Sequence, residues 1–271
     1  MTGRFDLDDI GDWAPRLALA LDEVVPLDAR ERIRTSSTGS HHDALDIVLS
    51  RSDPDRLFET TRRWVRDQKV VAYHASRLSE AEIASVRATG IQPLVPWRRR
   101  ERLVAILSRH SLWPEVADRL DEVIEMIAGS GRREGQAHLT LSRGTLVKFS
   151  THYLSAGSEF DQAVALEMLG RDAVALLCEG RFPVLFAVAV PGARALEVTE
   201  WRTPDGEMSG LVRLVLRTWA DWLCDPAIDP SSSRIDFGLV FHEVIPADWL
   251  LEVLEVTESS EIRSGAEPCR H

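Results

Sequence analysis

A chain of 271 residues, 44% hydrophobic and 28% charged, has ordinary globular composition and can bury a sizeable core in one large domain or two smaller ones. Its net charge of −11 argues against a whole-protein electrostatic grip on nucleic acid and leaves only a local basic patch for such a role. No apolar run approaches the roughly 18 residues of a membrane span, and the acidic opening MTGRFDLDDIGDW lacks the apolar segment of a secretory signal.

Cys178, Cys224 and Cys269 are widely spaced and form no C-x-x-C pair. That usage predicts a reducing, cytoplasmic setting and argues against a disulfide framework or a thiolate zinc site.

Residues 1–34 read as helical, with Leu17, Leu19, Ala20, Leu21, Val24 and Val25 supplying apolar material before Pro26 interrupts. Residues 35–43 are a polar turn segment. Its His41, His42 and Asp43 have no fixed ligand geometry in such a loop, so no metal site is expected. Residues 46–67 return to helical spacing through Val48, Leu49, Leu57, Phe58, Trp64 and Val65, with Arg62, Arg63 and Arg66 on a solvated face. Together residues 1–67 form a helical N-terminal region.

Residues 70–94 are the most organised stretch. Val70, Val71, Ala72 and Tyr73 predict a short strand, and His74 to Arg77 a polar tip at its carboxyl end. Ser79 and Glu82 make an S-x-x-E capping box that opens a helix, and Gly90 sits where a C′ glycine closes one. An extended connector, residues 93–96, follows. Arg98, Arg99, Arg100 and Arg102 then give a basic start to a helix running through Leu103 and Ile106. Pro114 opens another with Leu120, Val123, Ile124 and Ile127 as its stripe, ended by Gly129 and Gly131.

Beyond residue 135 the pattern changes. Residues 136–142 alternate polar and apolar and predict a half-buried strand carrying Ser142. His152, Tyr153, Ser158 and Glu159 crowd the approach to a helix over 161–169, and a carboxylate such as Glu159 is favourable at a helix start. The near-continuous apolar run 182–190 predicts a buried strand, with 195–198 as a paired extension. Residues 203–206 predict a turn, 211–223 a helix and 237–245 a strand that carries Glu243. The polar tail from Thr257 is expected to be disordered. The sum is an α+β fold: a helical N-terminal part and a mixed or antiparallel sheet.

Motifs for a phosphate-loop NTPase, a dinucleotide-binding Rossmann unit, a zincin and an α/β-hydrolase are absent. What remains is an ordered set: Tyr73-His74 on an early strand, Ser142 or Tyr153 in the middle, and Glu243 followed by Val244, Ile245, Pro246 and Trp249. This order over residues 68–256 resembles the ADP-ribosyltransferase superfamily. The 70–91 unit also looks like that of its DNA-targeting toxin branch and of the RNA 2′-phosphotransferases. The separation of His74 and Ser142 then implies a helical insertion at 97–130.

The resemblance implies an enzyme that consumes NAD as substrate, a toxin or defence effector, with an acceptor, protein or nucleic acid, left open. It implies Glu243, His74 and Tyr153 as catalytic residues. It implies Tyr73, His74, Ser76, Arg77, Ser142, Tyr153 and Glu159 as contacts to NAD. Breaking the nicotinamide–ribose bond passes through an oxocarbenium-like state. A carboxylate at the reacting sugar stabilises it; His74 would bond the adenosine ribose, Tyr153 stack on nicotinamide, Ser142 fix its orientation and Arg77 meet the pyrophosphate. His138, His152 and His242 read as structural, with His152 retained for its place beside Tyr153. Two other readings stand: a non-catalytic binding module using the same cleft, and a phosphotransferase or nuclease using His74 with the Arg98–Arg102 cluster.

Overall fold

The computed structural model describes residues 3–35, 42–130, 133–199, 201–202, 208–235 and 237–256. In chain order the first elements are β1 (Gly3–Asp6), α1 (Ile10–Ala20), α2 (Leu27–Thr35), α3 (His42–Arg51), α4 (Pro54–Arg66), β2 (Gln68–Leu78) and α5 (Glu80–Thr89). Next come α6 (Pro96–Leu107), α7 (Trp113–Val116), α8 (Leu120–Gly129), β3 (Ala137–Thr140), α9 (His152–Ala156), α10 (Glu159–Leu169) and α11 (Arg171–Leu176). The last are β4 (Phe182–Pro191), α12 (Gly192–Glu197), β5 (Trp201–Arg202), β6 (Met208–Ser209), α13 (Leu211–Cys224), β7 (Gly238–Phe241) and β8 (Leu250–Glu255). The architecture is mixed helix and sheet. Five strands bond in the order β7-β3-β2-β4-β8, and β1 adds to β2 in parallel, Gly3 opposite Gln68 and Asp6 opposite Val71. β2 and β3 run antiparallel, with Tyr73 opposite Thr140.

The chain divides into two compact units. The first comprises Met1–Tyr73, Leu139–Thr145 and Val188–Val240. Its centre is α13, whose buried Leu211, Val215, Leu216, Trp219 and Leu223 are met by α1, α2, α3 and α4. Fourteen residues with a broad apolar stripe bury well because the face is wide enough to touch several helices. Phe5, Trp13 and Trp64 close one side edge-to-face, Phe5 lying 5.0 Å from Trp13 and 5.8 Å from Trp64. Asp53 caps α4 by accepting from Asp55 and Arg56, and Pro54 fills its first position.

The second unit comprises His74–His138, Leu146–Ala187 and Phe241–His271. Its core joins Leu103, Ile106 and Leu107 of α6 with Leu120, Val123 and Ile124 of α8 and Phe160, Val164, Ala165 and Met168 of α10. Helices within residues 97–130 are therefore packing partners of α10. The capping box of α5 is complete: Ser79 Oγ accepts from Glu82 N–H and Glu82 accepts from Ser79 N–H at 2.8 Å. Gly90 ends α5 at φ +82°, and Ile91 exchanges backbone bonds with Ile245.

Several expectations are corrected. Gly3–Asp6 is a strand where helix was expected, because pairing with β2 outweighs local spacing. β2 runs on to Leu78, so His74 lies inside the strand and not at its carboxyl end. The helix expected from Pro114 is broken into α7, a 3₁₀ turn and α8. Residues 145–149 form a π-helical turn, and 195–198 belong largely to α12 and not to a strand. β7 ends at Phe241, which leaves Glu243 in an exposed bend beyond it. Residues 36–41, the 203–206 turn, Gly131 and the tail from Thr257 with Cys269 lie outside the described residues, as do the side chains of His42 and Asp43.

Candidate functional site

Adjacent strand residues point to opposite faces, and β2 uses this at Tyr73 and His74. Tyr73 is buried in the first unit, where its hydroxyl donates to Asp6 Oδ2 at 2.7 Å. Burial and the neighbouring Asp6 carboxylate push the phenol well above its ordinary range, and burial raises Asp6 in turn. Ser142, also in this unit, is fully buried and its Oγ accepts from Thr145 N–H at 3.2 Å. Neither hydroxyl is presented at a surface, because each is occupied by local structure.

His74 and the remaining candidates belong to the second unit. His74 Nδ1 donates to the His138 carbonyl at 2.9 Å, which fixes the tautomer with Nε2 as an acceptor. Burial holds its pKa below the ordinary value. Ser76, two residues on, is half-buried on the same strand face. Arg77 Nη1 donates to the Leu154 carbonyl at 3.2 Å and so holds the start of α9. His138 Nε2 donates to Gln136 Oε1 at 2.8 Å, which leaves Nδ1 as its acceptor. Burial, with Arg133 and His74 nearby, lowers the His138 pKa to about 4. Both imidazoles are neutral at pH 7.

The acid in this region is Glu159, the first residue of α10. Gly157 takes φ +80° between α9 and α10 and reverses the chain, so that two residues of α9 fold back onto that carboxylate. His152 Nε2 donates to Glu159 Oε1 at 2.9 Å and Tyr153 Oη to the same oxygen at 3.1 Å. Arg133 Nε stands 3.4 Å from Oε2, and its guanidinium lies over the Tyr153 ring, 5.2 Å from the centroid. The His152 and Tyr153 rings are 3.9 Å apart. The His152 hydrogen bond, with Arg133, overcomes the opposing effect of burial and draws the Glu159 pKa down to about 2. Burial lifts Tyr153 to about 12.

The structure thus brings Tyr153 and Glu159 into direct contact, while His74 is bonded to the His138 carbonyl. Glu243 lies in an exposed bend next to His242. Sequence reasoning gave no role to Arg133 or Gln136 and read His138 as structural. No periodicity marks Arg133, which follows a Gly-Ser-Gly stretch and adopts φ +62°.

The basic cluster has a different use. Arg99 Nε donates to Asp161 Oδ1 at 3.0 Å, Arg102 also pairs with Asp161, and Arg102 Nε donates to Glu82 Oε1 at 2.5 Å. Arg100 Nε meets Asp121 at 2.5 Å. Three of the four arginines proposed for phosphate contact are engaged by carboxylates. Among the described residues no group of three or more His, Cys, Asp or Glu is placed to hold a metal ion. No helix among them is long and apolar enough to cross a membrane.

A comparison with protein-family models, with curated proteins and with solved structures found no match.

Proposed function

We propose that the chain is an ADP-ribosyltransferase-like enzyme that takes NAD as substrate and breaks its nicotinamide–ribose bond. The observation that carries this reading is Glu159: a carboxylate kept ionised, bonded by His152 and by Tyr153, whose aromatic face lies beside it. The C–N bond electrons leave with nicotinamide, and the ribose passes through an oxocarbenium-like state. A fixed anion beside the reacting sugar stabilises that charge. Glu159 is assigned this role in preference to Glu243. Tyr153 supplies a face for the nicotinamide ring. His74 Nε2 accepts from a ribose hydroxyl, as its tautomer requires. Ser76 and Arg77 flank it. Such consumption of NAD suits a toxin or defence effector, with a protein or nucleic-acid acceptor.

The test is nicotinamide release from NAD, followed by chromatography, for the wild type, Glu159→Gln, Glu243→Gln and His74→Ala. Loss of release in Glu159→Gln with an unchanged melting temperature supports the reading. Equal release from wild type and Glu159→Gln, with loss only in Glu243→Gln, moves the acid to Glu243. No release from any of them turns the reading toward a non-catalytic binding module.

A further inference from the structure

Arg133 takes up the very groups that the proposed reaction needs. Its guanidinium stacks on the Tyr153 ring at 5.2 Å, and its Nε meets Glu159 Oε2 at 3.4 Å. Among the described residues it is also the one non-glycine residue at positive φ, +62°. A left-handed arginine is held there at a conformational cost, and such costs gather where a side chain must be kept in a special place.

We propose that the Tyr153 face and the Glu159 carboxylate form a seat for a planar organic cation, an N-substituted pyridinium, and that Arg133 occupies this seat in the structure as an internal stand-in. The inference rests on the NAD reading and deepens it. A guanidinium and a pyridinium share the features that matter: both are flat, delocalised, weakly hydrated cations that stack on an aromatic face. The side chains of Arg133 and Glu159 are 41% and 43% exposed, so exchange needs no opening of the core. When Arg133 leaves, Glu159 still accepts from His152 and Tyr153 on Oε1, so the carboxylate is not stranded. The departure also lets residue 133 relax from its left-handed conformation. The seat selects for charge. It accepts the oxidised, cationic ring of NAD and not the neutral dihydropyridine of its reduced form. It also makes Arg133 a competitor of the substrate, where an arginine beside a dinucleotide site is ordinarily expected to aid binding.

The experiment is calorimetric titration of the full chain with 1-methylnicotinamide, with neutral nicotinamide and with NAD, for the wild type and Arg133→Gly. Glycine adopts φ +62° without strain, so this variant removes the guanidinium and preserves the backbone. Arg133→Ala is the second variant, and thermal melting confirms that each is folded. The expected result is binding of 1-methylnicotinamide and NAD about three- to tenfold tighter in both variants, the loss of one exposed cation–π contact and one surface ion pair. Neutral nicotinamide is unaffected. Unchanged or weaker binding of the cation in the variants, with NAD still bound and cleaved, overturns the stand-in and leaves the NAD reading in place. Tighter binding of the cation without any binding of NAD keeps the seat and overturns the NAD reading. Equal gains for neutral and cationic rings overturn the charge selection on which the inference depends.

Discussion

Gly157 decides which side chains meet Glu159. Its φ of +80° is what folds His152 and Tyr153 back over the start of α10. Gly157→Ala is expected to cost about 1–3 kcal/mol, because φ +80° with ψ −138° is a conformation open essentially to glycine alone. It also loosens the two bonds to the carboxylate, so the Tyr153 phenol should titrate nearer its ordinary value; ultraviolet titration of the tyrosines measures this. His138 gives the clearest pH signature. Its folded pKa, about 4, lies below the ordinary value of 6.5, so the unfolded chain binds a proton first. Stability from this residue is full above pH 6.5 and falls as pH drops from 6.5 toward 4. His138→Gln should flatten that slope in urea unfolding curves taken across the window, and an unchanged slope refutes the assignment. Glu159 acts at lower pH. Its depressed pKa means that its contribution is present above the ordinary carboxylate value and is lost only as pH falls toward 2.

At the scale of elements, α10 is anchored by its own first turn. Asp161 is buried and receives Arg99 and Arg102 of α6, while Arg102 and Arg181 also meet Glu82 of α5. Removing this buried acid takes the carboxylate partner from Arg99 and leaves Arg102 with Glu82 alone. Asp161→Asn is therefore expected to destabilise the chain by about 2–4 kcal/mol, somewhat below a fully buried pair because Arg99 is 28% exposed; the denaturation midpoint checks it. Gly90→Ala should also be costly. The added Cβ meets the Ile245 carbonyl, against which Ile91 makes its backbone bridge. These elements also show what was legible in the sequence. The capping box at Ser79 and Glu82, Gly90, the apolar run in β4 and the stripe of α13 were readable because each is a local signal. β1 was not, since its strand state depends on pairing with β2, more than sixty residues later. Residues 195–198 read as strand because Ala, Leu and Val suit either state, and the turn into α12 after Pro191 decided it. At the candidate site, Tyr153 was singled out through the family resemblance and Glu159 as a carboxylate at a helix start. Their mutual contact depends on a glycine conformation and on Arg133, 20 residues before Tyr153, and neither leaves a pattern in the sequence.

For the whole molecule, a charge of −11 and the engagement of Arg99, Arg100 and Arg102 by carboxylates set the electrostatics. Binding of polyanions through that cluster should be absent: no shift of a DNA or RNA probe is expected even at about 50 mM salt, where phosphate contacts are strongest. A salt-sensitive shift abolished by Arg98→Ala and Arg100→Ala would restore the nuclease or phosphotransferase reading. The central claim, that the second unit binds NAD through His74 and the Glu159 group, is tested most directly by thermal unfolding with and without millimolar NAD. A ligand that binds only the native chain raises its apparent stability by mass action. The account predicts a clear upward shift for the wild type that is lost in His74→Ala and reduced in Glu159→Gln, both folded without ligand. The absence of a shift in the well-folded wild type, or an equal shift in His74→Ala, would contradict it.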